Sequence, residues 1–202
     1  MPKLRPTFLC LFWCLLTSSV ALAQAPSDIP VFQITPIQSS IRFDVEASVA
    51  IKGTFNKWNA TLTFTSPDVE SGAIDVQIFA DSVDTGSSLK NSKLKSSDFF
   101  DVANNPYITF KSTKIVQTGP STFEVDGNFT IRGVTRAESL TLNVTGAGTG
   151  QGTINGTLYF DRKDYGMNSG IPFIKIANRV EVNVSLLGKR TSGPPVKLKE
   201  FH

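Results

Sequence analysis

An alternation of apolar and polar side chains with a period of two residues runs through this sequence and limits what it can fold into. The most regular run has its apolar positions at Val180, Val182, Val184 and Leu186. Successive side chains of a strand lie on opposite faces, so this pattern predicts strands that bury one face. We count eight such segments, represented in chain order by Phe43, Phe64, Ile78, Phe110, Phe129, Leu142, Leu158 and Val182.

Eight strands that are apolar on one face need a common interior. Closing the sheet into a barrel would bury the apolar faces and remove the exposed edges. Two packed sheets, as in an immunoglobulin-like sandwich, would also bury these faces, and the pattern alone leaves that alternative open. A helix is predicted only at residues 88–97, with Ser87 as its N-cap. We therefore predict one all-β domain, an eight-stranded antiparallel barrel with a short helix at one end.

The first residues are typical of a secretory signal peptide. Lys3 and Arg5 precede an apolar run at residues 8–16, and small residues ending at Ala23 supply a cleavage site. The apolar run is too short for the alternative, a membrane anchor. We predict that residues 1–23 are removed and that the protein is exported to the periplasm or secreted.

The rest of the chain is predicted to consist of an extension, a domain and a tail. Residues 24–30 precede the first strand, the barrel is expected over residues 31–190, and residues 191–202 are expected to form a flexible, solvated tail. Both cysteines, Cys10 and Cys14, lie within the predicted signal peptide, so the exported chain would hold no disulfide.

Composition argues against several functions. Removing Lys3 and Arg5 leaves 18 of the 20 basic residues against 17 acidic ones, so no binding of nucleic acid is predicted. The one histidine, His202, lies in the predicted tail, so no Ser–His or Cys–His pair can be assembled. No His or Cys cluster offers a metal site. We predict a binding protein with no catalytic residue, cofactor or metal; an acid–base pair of Asp98 and Asp101 is the enzymatic alternative.

If the strands run up and down, their connections sort into two ends of the barrel. Every second connection is irregular and rich in side chains: residues 51–53, the helix with its extension to residue 106, residues 132–136 and residues 161–170. The connections at the other end are short turns. Functional loops gather at one end of a rigid scaffold, so we predict that the irregular end is the mouth of the barrel.

Short segments on these connections and on the adjoining strands resemble one known family. They are Gly53-Thr54-Phe55 with Trp58, Ser82-Val83-Asp84-Thr85-Gly86, Asp98-Phe99-Phe100-Asp101, Pro106-Tyr107-Ile108-Thr109-Phe110, Asn128-Phe129-Thr130-Ile131-Arg132-Gly133 and Asp161-Arg162-Lys163-Asp164-Tyr165-Gly166. In this order and spacing they resemble the YceI-like polyisoprenoid-binding family over about residues 31–190. One departure is Ala47-Ser48-Val49-Ala50, where many relatives have His-Leu-Gly, so no ligand contact of that histidine is carried over.

The resemblance implies a lipocalin-like barrel in the bacterial periplasm, with a helix beside its opening. It implies that a long isoprenoid lipid, such as a polyprenyl phosphate or a quinone, lies in the lumen, and transient contact with a membrane surface is a further expectation. A barrel filled by its own side chains, serving as a structural or interaction domain, is the alternative. An outer-membrane barrel fits less well, because the aromatic residues are too few for two girdles.

The predicted ligand-binding residues form two groups. The lumen group comprises Phe43, Val45, Phe64, Ile78, Phe110, Phe129, Ile131, Leu142, Leu158, Phe160, Val182 and Val184. The mouth group comprises Phe99, Phe100, Arg132 and Arg162. The two arginines would bind an anionic head group, unless they are solvated charges paired with Asp161 and Asp164. The two phenylalanines would either cap the lumen or hold the helix on the barrel.

Overall fold

The computed structural model describes residues 28–48, 50–170 and 175–201. The strands in this part of the chain are β1 (Val31–Ala47), β2 (Ile51–Phe55), β3 (Trp58–Phe64), β4 (Gly72–Phe79), β5 (Val83–Asp84), β6 (Tyr107–Gln117), β7 (Thr122–Ile131), β8 (Val134–Thr145), β9 (Gln151–Asp161) and β10 (Ile176–Ser192). One α-helix, α1, spans Ser88–Lys95. The described residues do not include the predicted signal peptide (1–23), residues 24–27 of the predicted extension, Val49 or His202.

All ten strands form one antiparallel sheet in the order β3-β4-β6-β7-β8-β9-β10-β1-β2-β5. β2 and β3 stand far apart in this order, yet only Asn56 and Lys57 separate them in the chain. The chain itself therefore joins the two ends of the sheet, which curls into a barrel. The predicted class, an antiparallel all-β barrel with a short helix, is confirmed. The sandwich alternative is wrong, because the described strands belong to a single sheet.

The predicted count of eight strands is wrong because the connection assigned to residues 51–53 is itself a strand. These residues belong to β2, in which Ile51 pairs with Val45 of β1. The chain then bends at Asn56, whose N–H donates to the Ser82 carbonyl, and it continues as β3 beside β4. One bent strand thus counts as two, and β5 adds a two-residue pairing with β2.

Side chains of the predicted parity face the interior. In β7, Phe123 and Val125 are buried, whereas Glu124 between them is exposed. The same alternation holds along β6 and the middle of β1. The inside of the barrel is therefore apolar and the outside mostly polar, the reverse of an outer-membrane barrel, which faces lipid with apolar residues. Among the described residues, no helix is long and apolar enough to cross a membrane.

Helix α1 lies at one end of the barrel. The Ser87 hydroxyl accepts a hydrogen bond from the Lys90 N–H, which makes Ser87 the N-cap that the sequence predicts. Leu94 is the buried residue of the helix and belongs to the core together with Phe99 and Phe100. The β7–β8 turn and the β9–β10 connection share this end, which is called the helix end below.

The opposite end of the barrel is covered by residues 193–201, called the strap. After β10 the chain turns back across the barrel, and the Lys197 N–H donates to the Pro67 carbonyl at 2.7 Å. These residues do not form the solvated tail that the sequence predicts, because Val196 and Leu198 pack against the core. This end is called the strap end.

Candidate functional site

Within the part of the chain that the structure describes, the interior of the barrel holds three cavities in a row along its axis. Their volumes are about 60 Å³ at the helix end, 70 Å³ in the middle and 100 Å³ at the strap end. Phe129 and Val182 line both the helix-end and the middle cavity, and Leu62 and Leu142 line both the middle and the strap-end cavity. Neighbouring cavities share wall residues, so they lie next to one another in the interior of the barrel, which is called the lumen below.

Each of the twelve residues predicted for the lumen lines one or more of these cavities. Phe43, Val45, Ile131 and Phe160 lie at the helix end, and Phe64 lies at the strap end. The others line the middle cavity: Ile78, Phe110, Phe129, Leu142, Leu158, Val182 and Val184. Strand parity explains this agreement, because residues two apart must share a face. Contact of these residues with a ligand stays a prediction.

Two rings of the lumen wall lie against glycines on neighbouring strands. A Cβ atom on Gly53 would lie 2.5 Å from the Phe43 ring, and one on Gly127 would lie 2.4 Å from the Phe110 ring. Carbon atoms do not approach so closely, so only glycine leaves room for these rings. Both glycines thus have a structural reason to be where they are: they let large side chains fill the inner wall.

Aromatic side chains close the helix end. The Phe55 ring lies 5.6 Å from the Phe43 ring and 5.8 Å from the Phe100 ring, measured between centroids. Phe99 and Phe100 are buried and line the helix-end cavity. Leu94 of α1 lines the same cavity. The two predicted roles of Phe99 and Phe100 therefore coincide, because the side chains that close the lumen also hold the helix on the barrel.

Among the described residues that line the helix-end cavity, Arg162 is the single charged one, and it is only 7% exposed. Its guanidinium is held by backbone carbonyls of the β9–β10 connection and of β10. Nε donates to Ala177 at 3.2 Å, and Nη1 donates to Ser169 at 3.0 Å and to Met167. The structure thus brings one buried cation to the end of an apolar lumen.

Arg132 lies in the turn between β7 and β8 and does not line that cavity. Arg132 and Gly133 have φ angles of 55° and 73°, as a two-residue hairpin turn requires. The Arg132 guanidinium donates to the Gly166 carbonyl and, at 2.7 Å, to the Ser97 carbonyl. Its Nε atom is buried and has no hydrogen-bond partner. Arg132 therefore braces two connections of the helix end against each other.

The alternative of solvated pairs between these arginines and two aspartates is wrong. The Asp161 carboxylate accepts from the Lys163 N–H at 2.8 Å, and Asp164 offers its backbone carbonyl to Arg136. Four ion pairs are found among the described residues, and none of them includes an arginine. Carbonyl dipoles, and no carboxylate, therefore surround the Arg162 charge.

Tyr165 is a second buried polar residue of the helix end. Its hydroxyl donates to the Glu138 carboxylate at 2.7 Å, and its ring packs edge-on against Phe129 and Phe160 at 5.5 and 5.2 Å. Burial, and then the hydrogen bond to Glu138, raise the pKa of the Tyr165 hydroxyl far above its ordinary value. The Tyr165 hydroxyl therefore keeps its proton in the hydrogen bond to Glu138.

Sequence reasoning missed the residues that close the strap end. Pro195, Val196 and Leu198 line the strap-end cavity together with the glycine-rich β8–β9 turn. Phe32 and Phe64 pack at 5.7 Å across the seam between β1 and β3, at the same end. A signal was present in the sequence, because apolar and basic residues alternate over residues 196–199 of the tail.

Comparisons with known proteins agree with this architecture. The sequence profile of the YceI-like domain matches residues 32–187. A UPF0312 protein of Pseudomonas savastanoi pv. phaseolicola is 31% identical over 127 residues, which cover 60% of this chain and 66% of that relative's length. A UPF0312 protein of Pseudomonas paraeruginosa is 29% identical over 143 residues, which cover 68% and 73% of the two chains.

Two solved structures share the fold. BcnA of Burkholderia cenocepacia superposes with a TM-score of 0.69 at 23% identity, covering 77% of this chain and 99% of that one. A polyisoprenoid-binding domain from Saccharophagus degradans superposes with a TM-score of 0.63 at 16% identity, covering 80% and 99%. At these identities the likeness shows the fold alone. The profile, which matches nearly the whole barrel, shows the family: the chain belongs to the YceI-like family.

Proposed function

We propose that this protein binds the apolar chain of a long isoprenoid lipid in its lumen, as a binding or carrier protein. The observation that carries the proposal is the row of three cavities. Protein interiors leave few voids larger than a water molecule. Each cavity here exceeds the about 10–15 Å³ that a water molecule needs, yet its walls are mostly apolar and unsuited to water.

A row of small cavities along one axis suits a long thin chain better than a compact molecule. Burial of the chain would dominate the affinity, because each CH₂ group removed from water contributes about 0.8 kcal/mol. An exposed ion pair at the rim contributes only about 0–1 kcal/mol. Membership of the YceI-like family and the likeness to a polyisoprenoid-binding domain support the same class of ligand.

The head group of the ligand, in this proposal, lies at the helix end beside Arg162. A polyprenyl phosphate and a quinone both present oxygen acceptors, which a guanidinium binds with several N–H donors at once. The N–H groups of Arg162 already donate to three carbonyls. The head group would therefore share these donors or replace some of the carbonyls. Arg132 would act on the head group only by fixing the connections around it.

The site of action, in this proposal, is the periplasm, after export directed by residues 1–23. A carrier of this kind would receive and deliver its lipid through transient contact with a membrane surface. N-terminal sequencing of the exported protein should find a chain that begins at Gln24. Intact Met1 in the membrane fraction would contradict this part of the proposal.

The central experiment is a titration with farnesol, geranylgeraniol and solanesol, followed by the fluorescence of Trp58, which packs against the core on β3. Affinity should rise with chain length over the shorter members of the series. Mass spectrometry of organic extracts from natively purified protein should then find a prenyl lipid. Absence of binding across the whole series would mean that side chains fill the lumen, and the filled structural domain would be the better interpretation.

The head-group assignment has a separate test in Arg162→Met. This variant should bind a polyprenyl diphosphate about tenfold or more weakly, since a hydrogen bond to a charged group contributes about 1.5–3 kcal/mol. Its affinity for the uncharged alcohol of equal length should hardly change. Arg136→Met is the matched control, because Arg136 is exposed and does not line the cavity, and it should leave both affinities unchanged. Equal weakening of both ligands would make Arg162 a purely structural residue.

A further inference from the structure

The strap closes the lumen with side chains that face inward in strand-like alternation. Val196 and Leu198 are partly buried against the core, whereas Lys197 and Lys199 between and after them are exposed. Pro195, Val196 and Leu198 all line the strap-end cavity, the largest of the three. These apolar side chains therefore form the floor of the lumen, at the end opposite the proposed head-group site.

The strap is held in place by a small set of polar contacts. Gln117 at the end of β6 is only 3% exposed, and its amide pairs with both the N–H and the carbonyl of Lys199, at 2.7 and 3.3 Å. The Lys199 ammonium donates to the Glu70 carboxylate at 2.6 Å. The Val69 N–H donates to the Lys197 carbonyl at 3.1 Å. Because Gln117 binds both the N–H and the carbonyl of Lys199, it fixes how far the strap reaches into the lumen.

The strap also lies outside the part of the chain that the family profile matches, which ends at residue 187. Most residues that line the three cavities lie within the matched part, whereas Pro195, Val196 and Leu198 of the floor follow it. The depth of the lumen can therefore differ from that of a relative without any change in the barrel.

We propose that the strap sets the longest isoprenoid chain that this protein accommodates, with Val196 and Leu198 as the residues that determine chain length. This inference rests on the proposed function. The ten residues of β7, at about 3.3 Å per residue and a tilt of about 40°, give the lumen a length of about 25 Å. A chain longer than the lumen must stop at the strap, displace it or leave part of its length outside.

The experiment compares chain-length profiles for four proteins, using farnesol, geranylgeraniol and solanesol as probes. They are the full chain, a truncation after Ser192, the double variant Val196→Ala with Leu198→Ala, and the control Lys197→Ala. In the full chain and the control, affinity should rise and then level off with length. In the truncation and the double variant it should continue to rise, with solanesol bound about tenfold more tightly than by the full chain. Tenfold corresponds to about two further buried CH₂ groups.

Each outcome bears on one part of the inference. Binding in all four proteins with the same length profile would overturn the role of the strap and leave the proposed function standing. No binding by the full chain would overturn the proposed function itself. If the truncated chain does not fold, the double variant decides, because it keeps the strap backbone and only lowers the floor. A profile of the double variant identical to that of the control would then overturn the inference.

Discussion

The helix end of the lumen is closed by connections between the strands of the barrel, whereas the strap end is closed by residues that follow the last strand. At the helix end Phe100, Tyr165 and Met167 are buried. At the strap end Val196 and Leu198 are only partly buried. Burial of apolar surface supplies most of the free energy that keeps an end of the lumen closed. The helix end should therefore cost more free energy to open than the strap end.

The two ends also differ in the polar contacts that hold them closed. At the helix end the buried Arg162 guanidinium binds backbone carbonyls of the β9–β10 connection and of β10. At the strap end one buried glutamine, one exposed ion pair and the two backbone hydrogen bonds of Lys197 hold the strap. Segments with few buried contacts open first in native proteins. For the described residues, the comparison therefore predicts that the strap end opens at a lower free-energy cost than the helix end.

The largest expected loss of stability comes from a substitution in the wall of the lumen, between the two ends. Val182 lines the helix-end and the middle cavity, so Val182→Asp would bury an unpaired carboxylate and destabilise the barrel by several kcal/mol, about 3 or more. The variant should lose its cooperative thermal unfolding transition. If Val182→Asp melts like the unmodified chain, there is no continuous apolar lumen behind the two ends.

Asn183→Asp is the matched control for that variant. Asn183 faces outward, where its side chain accepts from the Thr157 hydroxyl and donates to the Glu181 carboxylate. Replacement by aspartate loses the donor to Glu181 and places two carboxylates side by side at the surface, so it should cost about 1–2 kcal/mol, less than the buried carboxylate of Val182→Asp.

The next effect compares the two ends directly through Phe100→Ala and Leu198→Ala. Phe100→Ala should lower the free energy of unfolding by about 3–5 kcal/mol, because it leaves a cavity in a closed core. Leu198→Ala should cost less than about 2 kcal/mol, since this side chain is only partly buried. Chemical denaturation of both variants measures the difference, and the exposed Phe201→Ala is the control. Equal destabilisation at the two ends would break the comparison.

The smallest expected effect is a pH dependence of the contact between Glu70 and Lys199 that helps to hold the strap. The hydrogen bond from Lys199 holds the pKa of the Glu70 carboxyl below its ordinary value. A carboxyl with a lowered pKa in the folded state contributes stability above its ordinary pKa of about 4.3 and loses it as the pH falls through the lowered value. Hydrogen exchange of the Lys199 amide should therefore become faster, relative to the barrel strands, as the pH falls below about 4.3.

Glu70→Gln should remove that pH dependence, because the neutral side chain has no proton to gain. Asp98 is the corresponding carboxyl of the helix end, and the hydrogen bonds from Lys93 and then Ser169 lower its pKa as well. Asp98→Asn should leave the strap response unchanged. A strap response that persists in Glu70→Gln would show that Glu70 is not the group that titrates.

Local pattern was enough to predict the wall of the lumen. Phe43, Leu142 and Val182 lie in three different strands, yet each faces inward as its neighbours in sequence predict. The N-cap at Ser87 could be predicted for the same reason, because its partner lies three residues away. The bend at Asn56 could not, since it depends on the carbonyl of Ser82 in a distant connection.

The sequence by itself determined which side chains face the lumen, because a strand's parity depends only on neighbours in the chain. The tertiary structure decided how the lumen is closed. Arg162 is buried because carbonyls of the β9–β10 connection and of β10 reach it. The strap lies on the barrel because Gln117 bonds to Lys199, 82 residues further along the chain. Such contacts join residues that only the folded barrel brings together, and no local pattern encodes them.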